Sequence, residues 1–178
     1  NSGGSFGLGK TAYAKSSLIN TVLYHSTFER SSRSKNVGRR LMIAGVYPKH
    51  TYQNKDYGGF AYYGEKDPDE EKSAIPFEDS EAEKLWEKVL FLFDKNDINR
   101  SDTDYGTDIL IFKSQVDLNQ IRKASEDYYF PALIEQKVNI RFFHEDGEIK
   151  VPQPFERPDL DQFVKLMQDA KKNTQILE

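Results

Sequence analysis

The sequence predicts an α+β fold: a two-layer sandwich in which helices pack on one face of a mixed, mostly antiparallel sheet. Three observations carry the prediction. Residues 21–28 (TVLYHSTF) and 40–47 (RLMIAGVY) are β-rich runs with no helical pattern between them. Helical periodicity is clearest later, where Leu85, Trp86, Val89, Leu90 and Phe93 recur at turn spacing. An Asp146-Gly147 pair between two apolar runs marks a hairpin. Strands and helices that segregate along a chain build segregated layers.

Composition narrows the class. A 178-residue chain that is 37% hydrophobic buries one ordinary core, so one domain, or a large part of one, is expected. Its net charge of −4 is too balanced to mark a nucleic-acid footprint. The local basic cluster of Arg30, Arg33, Lys35, Arg39 and Arg40 fits either a solvated loop or a polyanion contact, which leaves nucleic acid open. The absence of cysteine excludes disulfides and thiolate metal sites, and no apolar run reaches membrane-spanning length. A cytoplasmic protein without a membrane partner is the expectation. The start at Asn1, with a glycine motif already under way, suggests a fragment of a longer protein.

In chain order, residues 10–19 carry Ala12, Tyr13, Ala14, Leu18 and Ile19 and read as a short helix ending near Asn20. The strand 21–28 comes next, then a polar connection 31–38, then the more continuous apolar strand 40–47, closed by Pro48. Residues 49–59 are polar and turn-rich, with Gly58-Gly59 as a turn, and 60–63 form a brief aromatic strand. Asp67, Asp69, Glu70 and Glu71 lack the alternating ligands and central glycine of a calcium loop, so a solvated loop is expected there. Ser80 and Glu83 have capping-box spacing and open a helix over 80–93, whose apolar stripe, Trp86 included, reads as core. After the polar stretch 94–105, Gly106-Thr107-Asp108 lead into a buried strand, ILIF at 109–112. Asp117 and Gln120 can cap a helix carrying Leu118, Ile121, Ala124, Tyr128 and Tyr129, stopped by Pro131. A hairpin spans 138–151, Pro152, Pro154 and Pro158 stiffen the next connection, and Leu160, Phe163, Val164, Met167 and Ala170 mark a last amphipathic helix.

The chemistry sits at the start. Gly3, Gly4, Gly7 and Gly9 crowd before a helix, and such a backbone turns several N–H groups toward one anion while the helix adds its positive end. Residues 4–11 match the literal pattern G-x-x-x-x-G-K-T, in which Lys10 would reach the outer phosphates and Thr11 would ligate Mg²⁺. That motif must follow a buried strand, and only Asn1, Ser2 and Gly3 stand before it. No later strand ends in the acidic residue that completes the magnesium site, since 40–47 runs to Pro48 and 109–112 to Lys113.

The stretch GGSFGLGKTAYA instead resembles the second glycine box of the GHKL ATPases, especially the ninety-kilodalton heat-shock chaperones. The succession of elements after it is similar to that family: a helix, two strands, a variable stretch, and Gly106-Thr107 opening a long buried strand, then a helix containing YYFPALI. The resemblance extends from Gly3 to about Phe143. It implies the later part of a Bergerat-type ATPase domain over 1–135, with 136–178 as its extension or the start of a transducer region. It also implies ATP as ligand, cradled by Gly4, Ser5, Phe6, Gly7, Leu8, Gly9, Lys10 and Thr11, with Thr107 near the adenine end. The family's general-base glutamate, its magnesium-binding asparagine and its adenine-reading aspartate-glycine box all precede the point where this chain begins. The resemblance therefore implies a Mg²⁺ ligand and half of the site in an upstream segment of the ATPase domain; a protein partner or a homodimer is a further expectation. This chain alone would not hydrolyse ATP.

No other residues supply catalysis. Glu81, Glu83 and Glu87 fall on a solvent-facing helix surface and Glu29 has no recognisable partner. His25, His50 and His144 lack metal or triad spacing and read as structural or exposed. The competing expectation is a non-catalytic interaction or transducer module that meets a partner through the 30–40 basic loop or the final helix.

Overall fold

The computed structural model describes residues 9–30, 37–70, 73–92, 104–144 and 147–175. It has an α+β architecture in two compact units, Asn1–Gln115 and Val116–Glu178. The boundary expected from sequence runs at 135/136. Helix α3 (Leu118–Ile134) groups instead with the C-terminal elements because its buried Glu126 is tied to Gln153 and Arg157.

In the first unit, helix α1 (Gly9–Lys15) precedes strands β1 (Thr21–Glu29) and β2 (Val37–Val46). The helix ends earlier than the apolar pattern suggests. Ser17 explains this: its Oγ donates to the Phe112 carbonyl and accepts the N–H groups of Ile19 and Thr21, so a side chain replaces the next helical turn and clips it to the sheet. Strand β1 pairs with β2 along its whole length, Thr21 opposite Gly45 and Glu29 opposite Val37. On its other side β1 pairs with β9 (Gly106–Ile111), and the far side of β2 takes β5 (Phe60–Tyr63) and β8 (Phe77–Glu78). Every strand pairing among the described residues is antiparallel.

The polar, turn-rich stretch after Pro48 holds a small hairpin, β3 (His50–Tyr52) and β4 (Lys55–Tyr57). Gln53 and Asn54 both have positive φ, 48° and 60°, the geometry of a two-residue hairpin turn without its usual glycine. Gly59 has φ of 91°, and a Cβ there would lie 2.3 Å from the Tyr47 carbonyl oxygen, so glycine is required at this turn. Strands β6 (Glu65–Lys66) and β7 (Ala74–Ile75) pair around the acidic loop.

Helix α2 (Asp79–Leu90) covers one face of the sheet, where Ala82, Trp86 and Leu90 bury against Leu23 and Leu41. The capping box does not form: Glu78 is the N-cap residue, without a side-chain cap, and Ser80 lies inside the helix. The chain passes from β8 straight into α2, and Asp79 is held instead by the Arg30 guanidinium and the Arg39 N–H. Tertiary pairing displaces the local cap.

In the second unit, α3 is capped by Asp117, whose Oδ1 accepts the Asn119 N–H at 2.8 Å. The expectation that Pro131 stops it is corrected. Proline sits in the last turn, where its missing N–H costs one bond, and its own carbonyl accepts from Glu135. The buried residues of α3 are Ser125 and Glu126, whereas Ile121, Tyr128 and Tyr129 are exposed, so the apolar pattern points to the wrong face. A short hairpin, β10 (Phe142–Phe143) and β11 (Ile149–Lys150), a 3₁₀ turn Pro154–Glu156 and helix α4 (Asp161–Gln175) complete the unit. Leu160 and Val164 are buried as expected of the amphipathic face, but Phe163 is exposed.

Candidate functional site

Strand alternation divides the sheet of the first unit into two chemically different faces. Leu23 and His25 point toward α2. Val22, Tyr24 and Ser26 point the other way, together with their β9 partners Ile111, Ile109 and Thr107. Helix α1 reaches this second face, where the ring of Tyr13 meets Tyr24 edge-on with centroids 6.4 Å apart. Burial pushes the Tyr24 phenol pKa up, and the nearby phenols of Tyr13 and Tyr62 add to the shift.

Thr107 is exposed on this face, and its Oγ1 lies 2.9 Å from Ser26 Oγ. Of the glycine-box residues, Gly9, Lys10 and Thr11 form the first turn of α1, and Thr11 is half-buried. Gly4, Ser5, Phe6, Gly7 and Leu8 lie outside the described residues. Thr107 thus lies on the sheet face that Tyr13 of α1 meets at Tyr24. Ser26 carries no signal of its own in the sequence, because its facing of Thr107 depends on the β1–β9 register.

The opposite face is core. The His25 ring stacks on Trp86 with centroids 4.4 Å apart and planes 8° from parallel, and its Nδ1 is 3.3 Å from Asp108 Oδ2. Its Nε2 is buried and has no hydrogen-bond partner among the described residues. Trp86 is 6% exposed, which agrees with its reading as packing. His50 is exposed and stacks on Tyr57, and His144 uses its backbone N–H in the hairpin. No group of three or more potential metal ligands occurs among the described residues.

The basic cluster is largely engaged by the start of α2. Arg30 pairs with Asp79, Arg40 Nε donates to Glu78 at 2.8 Å, and Arg39 lies 3.9 Å from Glu83. The hydrogen bond from Arg30 holds the Asp79 carboxyl below the usual range, and the Arg39 N–H lowers it further. Arg33 and Lys35 lie outside the described residues. Three of the five charges are therefore already answered within the chain, which weakens their pull on a polyanion.

A cavity of about 500 Å³ in the second unit is lined by Leu133, Val138, Ile140, Val151 and Phe155, with Glu156 its one ionisable lining residue among those described. Its size suits a small molecule, and Gln136, Asn139 and Gln153 add polar side chains to the lining. Comparisons of the chain with protein-family models, curated proteins and solved structures find no match.

Proposed function

We propose that this chain supplies the phosphate-loop and Thr107 side of a GHKL-type ATP site whose other half lies in an upstream segment. One observation carries the reading: Thr107 and α1, the helix opened by the glycine box, share the sheet face opposite the Trp86 core. In this reading the backbone N–H groups from Ser5 to Lys10 hold the phosphates, Lys10 adds a point charge, and the exposed Thr107 hydroxyl meets the base end. Bound ATP supplies the phosphoanhydride bond. In this reading the general base comes from the upstream segment, so hydrolysis awaits that segment, and no step is assigned to Mg²⁺. A cytoplasmic location goes with this activity.

Calorimetric titration of the full-length protein with ATP tests the proposal. Binding is expected, with strong loss on Lys10→Ala and Gly9→Ala, while the 178-residue chain alone binds very weakly and shows no turnover. Absence of binding by the full-length protein, or binding indifferent to both substitutions, refutes it.

A second reading, a non-catalytic interaction module, draws on the exposed Phe163 and Leu166 of α4. It is favoured if the full-length protein binds no nucleotide and α4 substitutions release a protein partner or a second copy.

A further inference from the structure

We infer that Ser26 is a positioning residue that sets the direction of the Thr107 hydroxyl toward the ligand, an inference that rests on the ATP-site reading. The two residues are direct cross-strand partners in the β1–β9 ladder, and their hydroxyl oxygens lie 2.9 Å apart. Each hydroxyl has one proton and two lone pairs, so a bridge between them uses one proton and leaves the other to point away. When Ser26 donates, Thr107 keeps its own proton for a ligand; when Thr107 donates, it offers lone pairs only. Either way Ser26 narrows the orientations open to the Thr107 hydroxyl, by occupying one of its lone pairs or by holding its proton.

A cross-strand hydroxyl pair also occurs as ordinary sheet stabilisation. Two features set this one apart. Thr107 is exposed on the face that α1 reaches, so its remaining hydrogen-bonding capacity opens toward the proposed ligand. The other cross-strand neighbour of Ser26 is Arg40, which is turned to Glu78 Oε1 at 2.8 Å and over the Phe28 ring at 4.9 Å. Arg40 therefore leaves the serine to Thr107. Asp108, next in the chain, points to the opposite face and His25, so it does not compete for the pair.

Because a base edge presents a fixed order of donors and acceptors, an oriented hydroxyl distinguishes bases where a freely rotating one does not. The readout is the ratio of ATP to GTP affinity of the full-length protein, measured by calorimetry. Ser26→Ala is expected to lower that ratio by about three- to tenfold, the effect of one neutral hydrogen bond. Ser26→Thr, which keeps a hydroxyl, restores it, and Ser26→Ala adds nothing in a Thr107→Val background. A merely structural serine would weaken both nucleotides alike and leave the ratio unchanged. If Ser26→Ala leaves the ratio unchanged while Thr107→Val lowers it, the positioning role is overturned and the ATP site stands. If the unsubstituted protein binds neither nucleotide, both readings fall.

Discussion

Removing the Glu126 carboxylate is expected to be among the most damaging single changes in the second unit. Glu126 is 1% exposed, and it accepts from Arg122 Nη1 at 2.8 Å, the Gln153 N–H at 2.9 Å and Arg157 Nη1 at 3.0 Å. One side chain thus ties α3 to the proline-rich segment that leads into α4. Breaking a buried ion pair from one side costs about 3–5 kcal/mol, because the partner charges stay behind. Here Arg157 retains Asp127 and Asp159, and the Arg122 side chain is 31% exposed and can rehydrate. The lower end, about 3 kcal/mol, is therefore expected for Glu126→Ala. Glu126→Gln keeps an acceptor for Gln153 but loses the charge, and should cost about 1.5–2 kcal/mol. Asp127→Ala is the control: it contacts the same Arg157 from a side chain 40% exposed, and should cost below about 1 kcal/mol. Urea unfolding followed by circular dichroism, with amide exchange of α3 to identify the transition, measures all three. Equal costs for Glu126→Ala and Asp127→Ala would refute the argument that burial, and not charge pairing alone, makes this clasp.

Trp86→Ala should destabilise the first unit by about 3–5 kcal/mol in the same urea assay, because a large buried ring is replaced by a cavity. Trp86→Phe, facing away from Thr107, should leave nucleotide affinity of the full-length protein unchanged. Asp159, hydrogen-bonded by Arg157, has its pKa lowered to about 2, and Asp79 is lowered by Arg30. Both fall below the unfolded aspartate value of about 3.9, so their contribution to stability is complete above that pH and declines below it, for Asp159 as pH falls through about 2. Acid titration should show this limb, and Asp159→Asn should flatten its Asp159 part; an unchanged limb would show that the pairing does not survive in solution.

Strong local signals carry through to the structure. The β-branched run of β1, the apolar run of β2, the Asp117 cap and the apolar stripe of α2 each act within a few residues, so their elements stand close to where the pattern puts them. Local signals fail where a distant partner outbids them. The capping box loses to Arg30 and Arg39, and α1 is cut short by Ser17 bonding across to Phe112. Helix α3 buries an acid, Glu126, and leaves outside the tyrosines that its apolar pattern assigns to the core. The two-residue turn at Gln53-Asn54 carries no glycine to announce it.

Residues 1–11 by themselves pointed to the chemistry to test, since a glycine-rich run before a helix can turn several N–H groups toward one anion. They could not say what else would face such an anion. Strand alternation separates Thr107 from Asp108 onto opposite faces, but which face meets α1 and which meets Trp86 depends on register and packing between segments far apart in the chain. That decision belongs to the tertiary structure, and it is what makes Ser26 and Thr107 neighbours.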